Sequence, residues 1–217
     1  MIKFFLQTIK DFNYLLPGFY LTLQLTFISF AIGSIIGLVI AILRMRRKRG
    51  FLFAITSWYI NLLRGTPMLV QLLTIYFFLG MYVKTTPFMA AVLGLSINLG
   101  AYMSEAYRGV LESIHKGQWE AAKSLGMSTF TTLRRIILPQ GIRILLPEIT
   151  NYFIMTLLSS SLASVVALRE LTLLGQSYVS KTFRVITFFE VAFLYFIVAY
   201  PMSKLSNYLE KKWKYTK

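Results

Sequence analysis

The chain has 217 residues, of which 56% are hydrophobic and 14% charged, about half the charged fraction of a soluble domain, and its mean hydropathy is +0.63. Cysteine is absent, which excludes disulfide scaffolds, thiolate metal sites, iron–sulfur clusters and cysteine nucleophiles, and His115 as the only histidine argues against an imidazole metal cluster or a Ser/His triad. The net charge of +15 sits beside long apolar runs and therefore reads as orientation across an anionic-lipid bilayer, not as nucleic-acid binding.

In chain order, residues 1–17 mix aromatics with Lys3, Lys10 and Asp11 and predict a separate interfacial helix on the outer face. Gly18 to Leu43 is 26 uncharged residues, 15 of them Leu, Ile, Val or Phe, and predicts the first span over 18–43. It is too long for a signal-peptide core. The second span, 51–81, carries Arg64 as its only charge, and Arg64-Gly-Thr-Pro67 interrupts it. Thr85 to Ser104 gives a third span. Ile149 to Leu168 gives a fourth over 147–168, and Val185 to Ser203, with Glu190 alone, a fifth over 185–209. With five spans, sixteen lysines and arginines fall on one side, in Arg44–Arg49, Arg108–Arg143 and Lys204–Lys217, and six fall on the other. The positive-inside asymmetry predicts an N-terminus outside and a C-terminus in the cytoplasm. No internal repeat is present, and five helices are few to enclose a solute path, so pairing with a second copy or a homologous permease is expected.

Between the third and fourth spans the chain reads as helix-turn-helix. Gln118 to Leu125 is built from good helix formers, Gly126 stands where a left-handed C-terminal cap is wanted, and Ser128 is placed to cap a new helix that Pro139 should interrupt. Glu120-Ala121-Ala122, Gly126 and Ile137-Leu138-Pro139 together resemble the cytoplasmic EAA loop of the membrane subunits of bacterial ATP-binding-cassette importers. More narrowly, Arg64-Gly-Thr-Pro-Met-Leu-Val-Gln71, Asn98-Leu-Gly-Ala-Tyr-Met-Ser-Glu105, Gly117-Gln-Trp-Glu-Ala-Ala and Leu138-Pro-Gln140 resemble the polar amino-acid uptake permeases. The resemblance runs from about Gly18 to Trp213.

What the resemblance implies is an all-α, type I importer permease of five transmembrane helices, with a coupling helix at about 118–125 seated in a cleft of a separate ATPase. Glu120, Ala121, Ala122 and Gly126 would form the docking surface, two ATPase subunits and an extracytoplasmic solute-binding protein would be partners, and ATP and Mg would be bound by the partner ATPases, with no cofactor on this chain. The rival for the same helix is an ordinary surface segment with Glu120 paired to Lys116 or Lys123, worth about 0.2–0.5 kcal/mol. A Gly-x-x-x-x-Gly-Lys-Ser/Thr loop is missing from the sequence, so the energy must come from elsewhere.

Polar groups inside a bilayer are costly and functional by default. Asn98, Tyr102 and Glu105 share one helix face suited to lining a path for zwitterions, while Glu105 can also pair with Arg108 one turn on. Arg64 and Pro67 mark a kink or gate hinge, because Pro67 denies a hydrogen bond to the Leu63 carbonyl; snorkelling or helix–helix bonding is the rival use of Arg64. Ser159, Ser160 and Ser161 place hydroxyls in the fourth span as further candidates to line the substrate path, where small residues also simply allow close packing. Relatives often carry Lys-Asp/Glu/Asn-Thr/Ser-Ser/Ala there, and the uncharged Leu158-Ser-Ser-Ser points to a neutral or zwitterionic polar amino acid such as cystine. His115 reads as a surface residue. An ATP-independent pore or ion-coupled transporter is the rival function and leaves the EAA-type loop unexplained; a membrane enzyme lacks a convergent acid/base set.

Overall fold

The computed structural model describes residues 2–46 and 50–214. Arg47, Lys48 and Arg49 of the basic cluster, and Lys217, lie outside the described residues, as do the side chains of Lys3, Arg46 and Lys214.

Among the described residues the secondary structure is helical throughout: α1 (Ile2–Arg46), α2 (Phe51–Arg64), α3 (Met68–Tyr82), α4 (Pro87–Ser113), α5 (Lys116–Ser124), α6 (Thr129–Thr132), a π-helical turn (Leu133–Ile137), α7 (Leu138–Ser159), a 3₁₀ segment (Ser160–Val166), α8 (Leu171–Thr182) and α9 (Thr187–Lys214). Four stretches are long and apolar enough to cross a membrane, within 10–44, 87–113, 129–166 and 187–213, and the bent pair α2–α3 makes a fifth if it counts as one span.

The helix over 18–43 does not begin at Gly18. Residues 2–17 are the continuous N-terminal part of α1, not a separate interfacial helix. Pro17 leaves the Asn13 carbonyl without its intrahelical donor, a loss that a helix tolerates where tertiary contacts hold both sides. Here they do: Leu15 is fully buried against Leu171, Leu174, Val191 and Leu194, and Asp11, also fully buried, accepts from Arg184 Nε at 3.0 Å and Tyr178 Oη at 2.5 Å.

The main packing seam joins α1 to α4. A Cβ on Gly33 would stand 2.9 Å from Leu99 Cβ, and one on Gly37 2.6 Å from Met103 Cβ and 3.0 Å from the Gly100 carbonyl. Gly100 in turn leaves room for Ile36, whose Cγ2 lies 2.6 Å from where a Cβ would be. Gly33-x-x-x-Gly37 thus lets two backbones approach closely, as small residues do where apolar burial gives no preference of helix for helix over lipid. The core beside this seam gathers Leu25, Leu72, Ala91, Leu95, Ala163, Val166 and Leu168 from α1, α3, α4, the 3₁₀ segment and the connection that follows it.

The second predicted span is two helices bent by 110°. At 14 and 15 residues each is ~21–23 Å long, too short to cross ~30 Å of hydrocarbon alone. Pro139 does not end the helix that Ser128 starts. The Leu138 N–H reaches back to the Leu133 carbonyl, a wider turn, and Pro139 enters α7 in its first turn, where its missing N–H costs nothing further.

Candidate functional site

The connection between α4 and α7 builds a short helix with defined ends. His115 is exposed and caps α5, its Nδ1 accepting from the Gly117 N–H at 3.0 Å. Gly126 lies at φ +72°, the left-handed conformation that closes a helix and disfavours any residue with a Cβ, and the Met127 N–H bonds back to the Ala122 carbonyl at 3.0 Å. Ser128 caps α6 by accepting from the Thr131 N–H at 3.2 Å. Glu120 and Ala121 face outward, and Glu120 makes no ion pair with Lys116 or Lys123. Ala122 is turned inward at 1% exposure. Leu125 and Phe130 are 79% and 70% exposed, two large apolar side chains beside the Gly126 turn.

A second construction surrounds the α2–α3 break. Pro67 cannot donate to the Leu63 carbonyl, and the Gln71 side-chain amide donates to it instead at 2.8 Å, while also lying 3.0 Å from the Thr66 carbonyl. Asn98 Nδ2 donates to Gln71 Oε1 at 2.9 Å and also reaches the Leu63 carbonyl at 3.4 Å. Thr66 Oγ1 donates to the Leu62 carbonyl at 2.8 Å, so the last carbonyls of α2 are capped by side chains and neighbouring backbone. Pro67 is therefore the site of a complete break, more than a kink, and Asn98 ties that break to the middle of α4.

One and two turns further along α4 stand Tyr102 and Glu105. Glu105 accepts from Arg108 Nη2 at 2.6 Å and from Arg44, and Arg64 Nη1 lies 3.9 Å away. Arg44 is 13% exposed and lies 5.2 Å from the Phe53 ring centroid, so this first member of the Arg44–Arg49 cluster is a partner within the protein. Arg64 is 47% exposed, with its guanidinium 5.6 Å from the Tyr102 ring centroid, and Tyr102 lies 6.3 Å from Tyr152 of α7.

The inner membrane component of binding-protein-dependent transport systems is the family whose model matches residues 33–215. The chain belongs to that family. It is 38% identical to the L-cystine transport system permease protein TcyB of Bacillus subtilis, over 90% of this chain and 84% of the relative. It is 35% identical to the glutamine transport system permease protein GlnP of Escherichia coli, over 92% of this chain and 93% of that one. A crystal structure of an amino acid ABC transporter superposes with a TM-score of 0.86 at 35% identity, covering 96% of this chain and 98% of the other. The protein is accordingly a multi-pass membrane permease of the amino-acid ATP-binding-cassette importers, with the type I importer permease fold.

The permease brings Asn98, Tyr102, Glu105, Arg64 and Pro67 together around one break, and keeps the three serines of the fourth span apart from them by role. Ser160 is fully buried, its hydroxyl on the Leu157 carbonyl at 2.6 Å and also reaching Tyr195. Ser161 donates to the Leu158 carbonyl at 2.7 Å, and Ser159 ends α7. Gln71, Leu125 and Phe130 are not among the residues that the sequence patterns single out; the signals in the chain are the position of Gln71 one turn after Pro67 and the apolar character of Leu125 and Phe130 in a polar connection. Nor is Glu170, which is fully buried yet caps α8 through the Thr172 and Leu173 N–H groups at 2.9 Å each and accepts from Tyr195 Oη at 3.0 Å. Burial pushes the Glu170 carboxyl up from the usual carboxylate range, against those N–H groups, which favour the ionised form.

Proposed function

We propose that this permease carries a neutral or zwitterionic polar amino acid, with cystine the foremost candidate, by ATP-driven alternating access. It would act as a pair with a second copy or a paralogous permease, with two ATP-binding-cassette ATPase subunits and an extracytoplasmic solute-binding protein, in a bacterial cytoplasmic membrane with its N-terminus outside and its C-terminus in the cytoplasm. ATP and Mg would be bound and used on the ATPases.

The observation that carries the ATP-driven reading is the α5–Gly126–α6 element. A nine-residue helix is too short to be stable alone in water, and Ala122 is the one residue of α5 that is buried, on the side where α5 meets α6. Glu120 and Ala121 point outward, and Leu125 and Phe130 expose apolar area that a cleft on an ATPase would cover. Ala122 then serves docking indirectly, by letting α5 lie close on its own support. Asn98, Tyr102 and Glu105, with Ser159 and Ser161, would border the solute path, and Arg64 and Pro67 its hinge. The TcyB relative and the uncharged Leu158-Ser-Ser-Ser segment both favour cystine.

The test is ATPase activity of the reconstituted complex. Glu120→Lys and Leu125→Ser should each leave the permease folded in the membrane while abolishing substrate-stimulated hydrolysis and ATP-dependent uptake. Stimulation at the wild-type level in both variants would overturn the docking role.

A further inference from the structure

The arginines around Glu105 are not equivalent. Arg44 and Arg108 hold its carboxylate at hydrogen-bond contact, and Arg108 also donates to Glu112 at 2.5 Å. Arg64, at 3.9 Å, has the longest contact of the three and the most exposed side chain, at 47% against 13% and 35%. The cluster counts three guanidinium groups against the two carboxylates of Glu105 and Glu112, which leaves one positive charge uncompensated. Glu148 is the other carboxylate whose charge acts on Tyr152, and it makes no ion pair with Arg64 among the described residues.

The depth of this charge decides what it can face. Leu63 and Gln71 bond to Asn98, the twelfth of the 27 residues of α4, so the break hangs ~17 Å from one end of a helix ~40 Å long. The Arg64 guanidinium itself lies about two turns further along, beside Glu105, the nineteenth residue of α4 and ~12 Å from that helix's other end, where a charge faces a water-filled cavity, another protein surface or the membrane interface. Arg64 is fixed on one side by the Tyr102 ring, while its Nη donors are only loosely engaged. An exposed, incompletely neutralised guanidinium beside an aromatic face is chemistry that receives a carboxylate in two-pronged fashion.

We infer that Arg64 is the residue that takes the α-carboxylate of the transported amino acid on its way through the permease, exchanging its long contact with Glu105 for the substrate while Arg44 and Arg108 keep Glu105 satisfied. Tyr102 backs the guanidinium, and the Gln71–Asn98 bond holds the break that carries it. The inference rests on the amino-acid importer reading given above.

The sequence offers a clean handle, because it contains no cysteine. The permease, its ATPase and its binding protein are reconstituted in proteoliposomes. ATP-dependent uptake is measured for L-cystine and the twenty proteinogenic amino acids, and the one taken up most is kept as the probe. Arg64→Gln should raise the probe's KM by ~10–100-fold, the worth of a charge-assisted hydrogen bond. Arg64→Lys should recover only part of that affinity, because an ammonium keeps the charge but loses the two-pronged contact and the stacking on Tyr102. In Arg64→Cys, treating the purified permease with 2-aminoethyl methanethiosulfonate before assembly should restore uptake, and the sulfonatoethyl reagent should not. Unchanged KM in Arg64→Gln, or equal effects of the cationic and anionic reagents, would overturn the assignment while leaving the importer reading intact. No ATP-dependent uptake of any probe by the wild-type complex would instead remove the importer reading, and this inference with it.

Discussion

The Gln71 side-chain amide donates to the Leu63 carbonyl across 2.8 Å, supplying the bond that Pro67 removes from the end of α2. An unpaired carbonyl at membrane depth has no water to turn to, so this bond allows a broken helix to exist there at all. Because Asn98 donates to Gln71 in turn, the break is part of a three-residue network and is not an isolated kink.

Gln71→Leu should therefore lower the unfolding free energy of the solubilised permease by about 1–3 kcal/mol, since the Leu63 and Thr66 carbonyls lose a buried donor. Asn98→Ala should cost less, and the double variant less than the two together, because the residues share partners. Thermal unfolding in detergent of the four proteins gives the coupling energy, expected at about 0.5–3 kcal/mol. Strict additivity would show that the network is a coincidence of rotamers.

Glu105→Gln removes the carboxylate from Arg44 and Arg108. Its side chain retains 19% exposure, so the cost falls below that of a fully enclosed pair and should be about 1.5–3 kcal/mol. Arg44→Met in the Glu105→Gln background should recover part of it, since the lone guanidinium at 13% exposure is then gone. Chemical denaturation of the single and double variants checks the sign; further loss in the double variant would contradict an interior role for Arg44.

Gly37→Leu places a branched side chain where a Cβ alone would already stand 2.6 Å from Met103 and 2.9 Å from the Ser104 nitrogen. Backbone on α4 cannot give way as a flexible side chain can, so the α1–α4 seam should open, at a cost of about 1–3 kcal/mol or more, with loss of monodisperse protein on extraction. Gly109→Ala meets nothing within 4 Å in this chain and should be neutral or stabilising by up to about 1 kcal/mol through helix propensity. Fluorescence-detected size exclusion across a temperature ramp separates the two.

Much of the candidate site was readable in particular residues. Gly126 and Ser128 announced the ends of α5 and α6 because caps are local: the conformation each favours depends on its own side chain and on neighbours within a turn. Glu105 and Arg108 were readable as a pair for the same reason, three residues apart on one helix. Arg44 was not, because its partner lies 61 residues away and a basic cluster at a span's end looks the same whether its members face lipid headgroups or the protein interior. Pro139 misled, since local rules give a proline after a short helix the role of a stop, and only the wider turn at Leu133–Ile137 lets the chain continue. The N-terminal residues misled similarly: Asp11 in an aromatic stretch reads as interfacial until Arg184 and Tyr178 are found beside it.

The sequence alone determined that this chain lies in a membrane, where its apolar runs fall, and which short connection carries the EAA-type pattern, because span length, charge asymmetry and capping are properties of contiguous residues. Tertiary structure alone decided that the second span is broken by 110°, that Gln71 and Asn98 hold the break, and that Arg64 is left half-exposed beside a Glu105 already claimed by two other arginines. Those facts depend on which helices meet, and partners tens of residues apart leave no periodic trace in the chain that joins them.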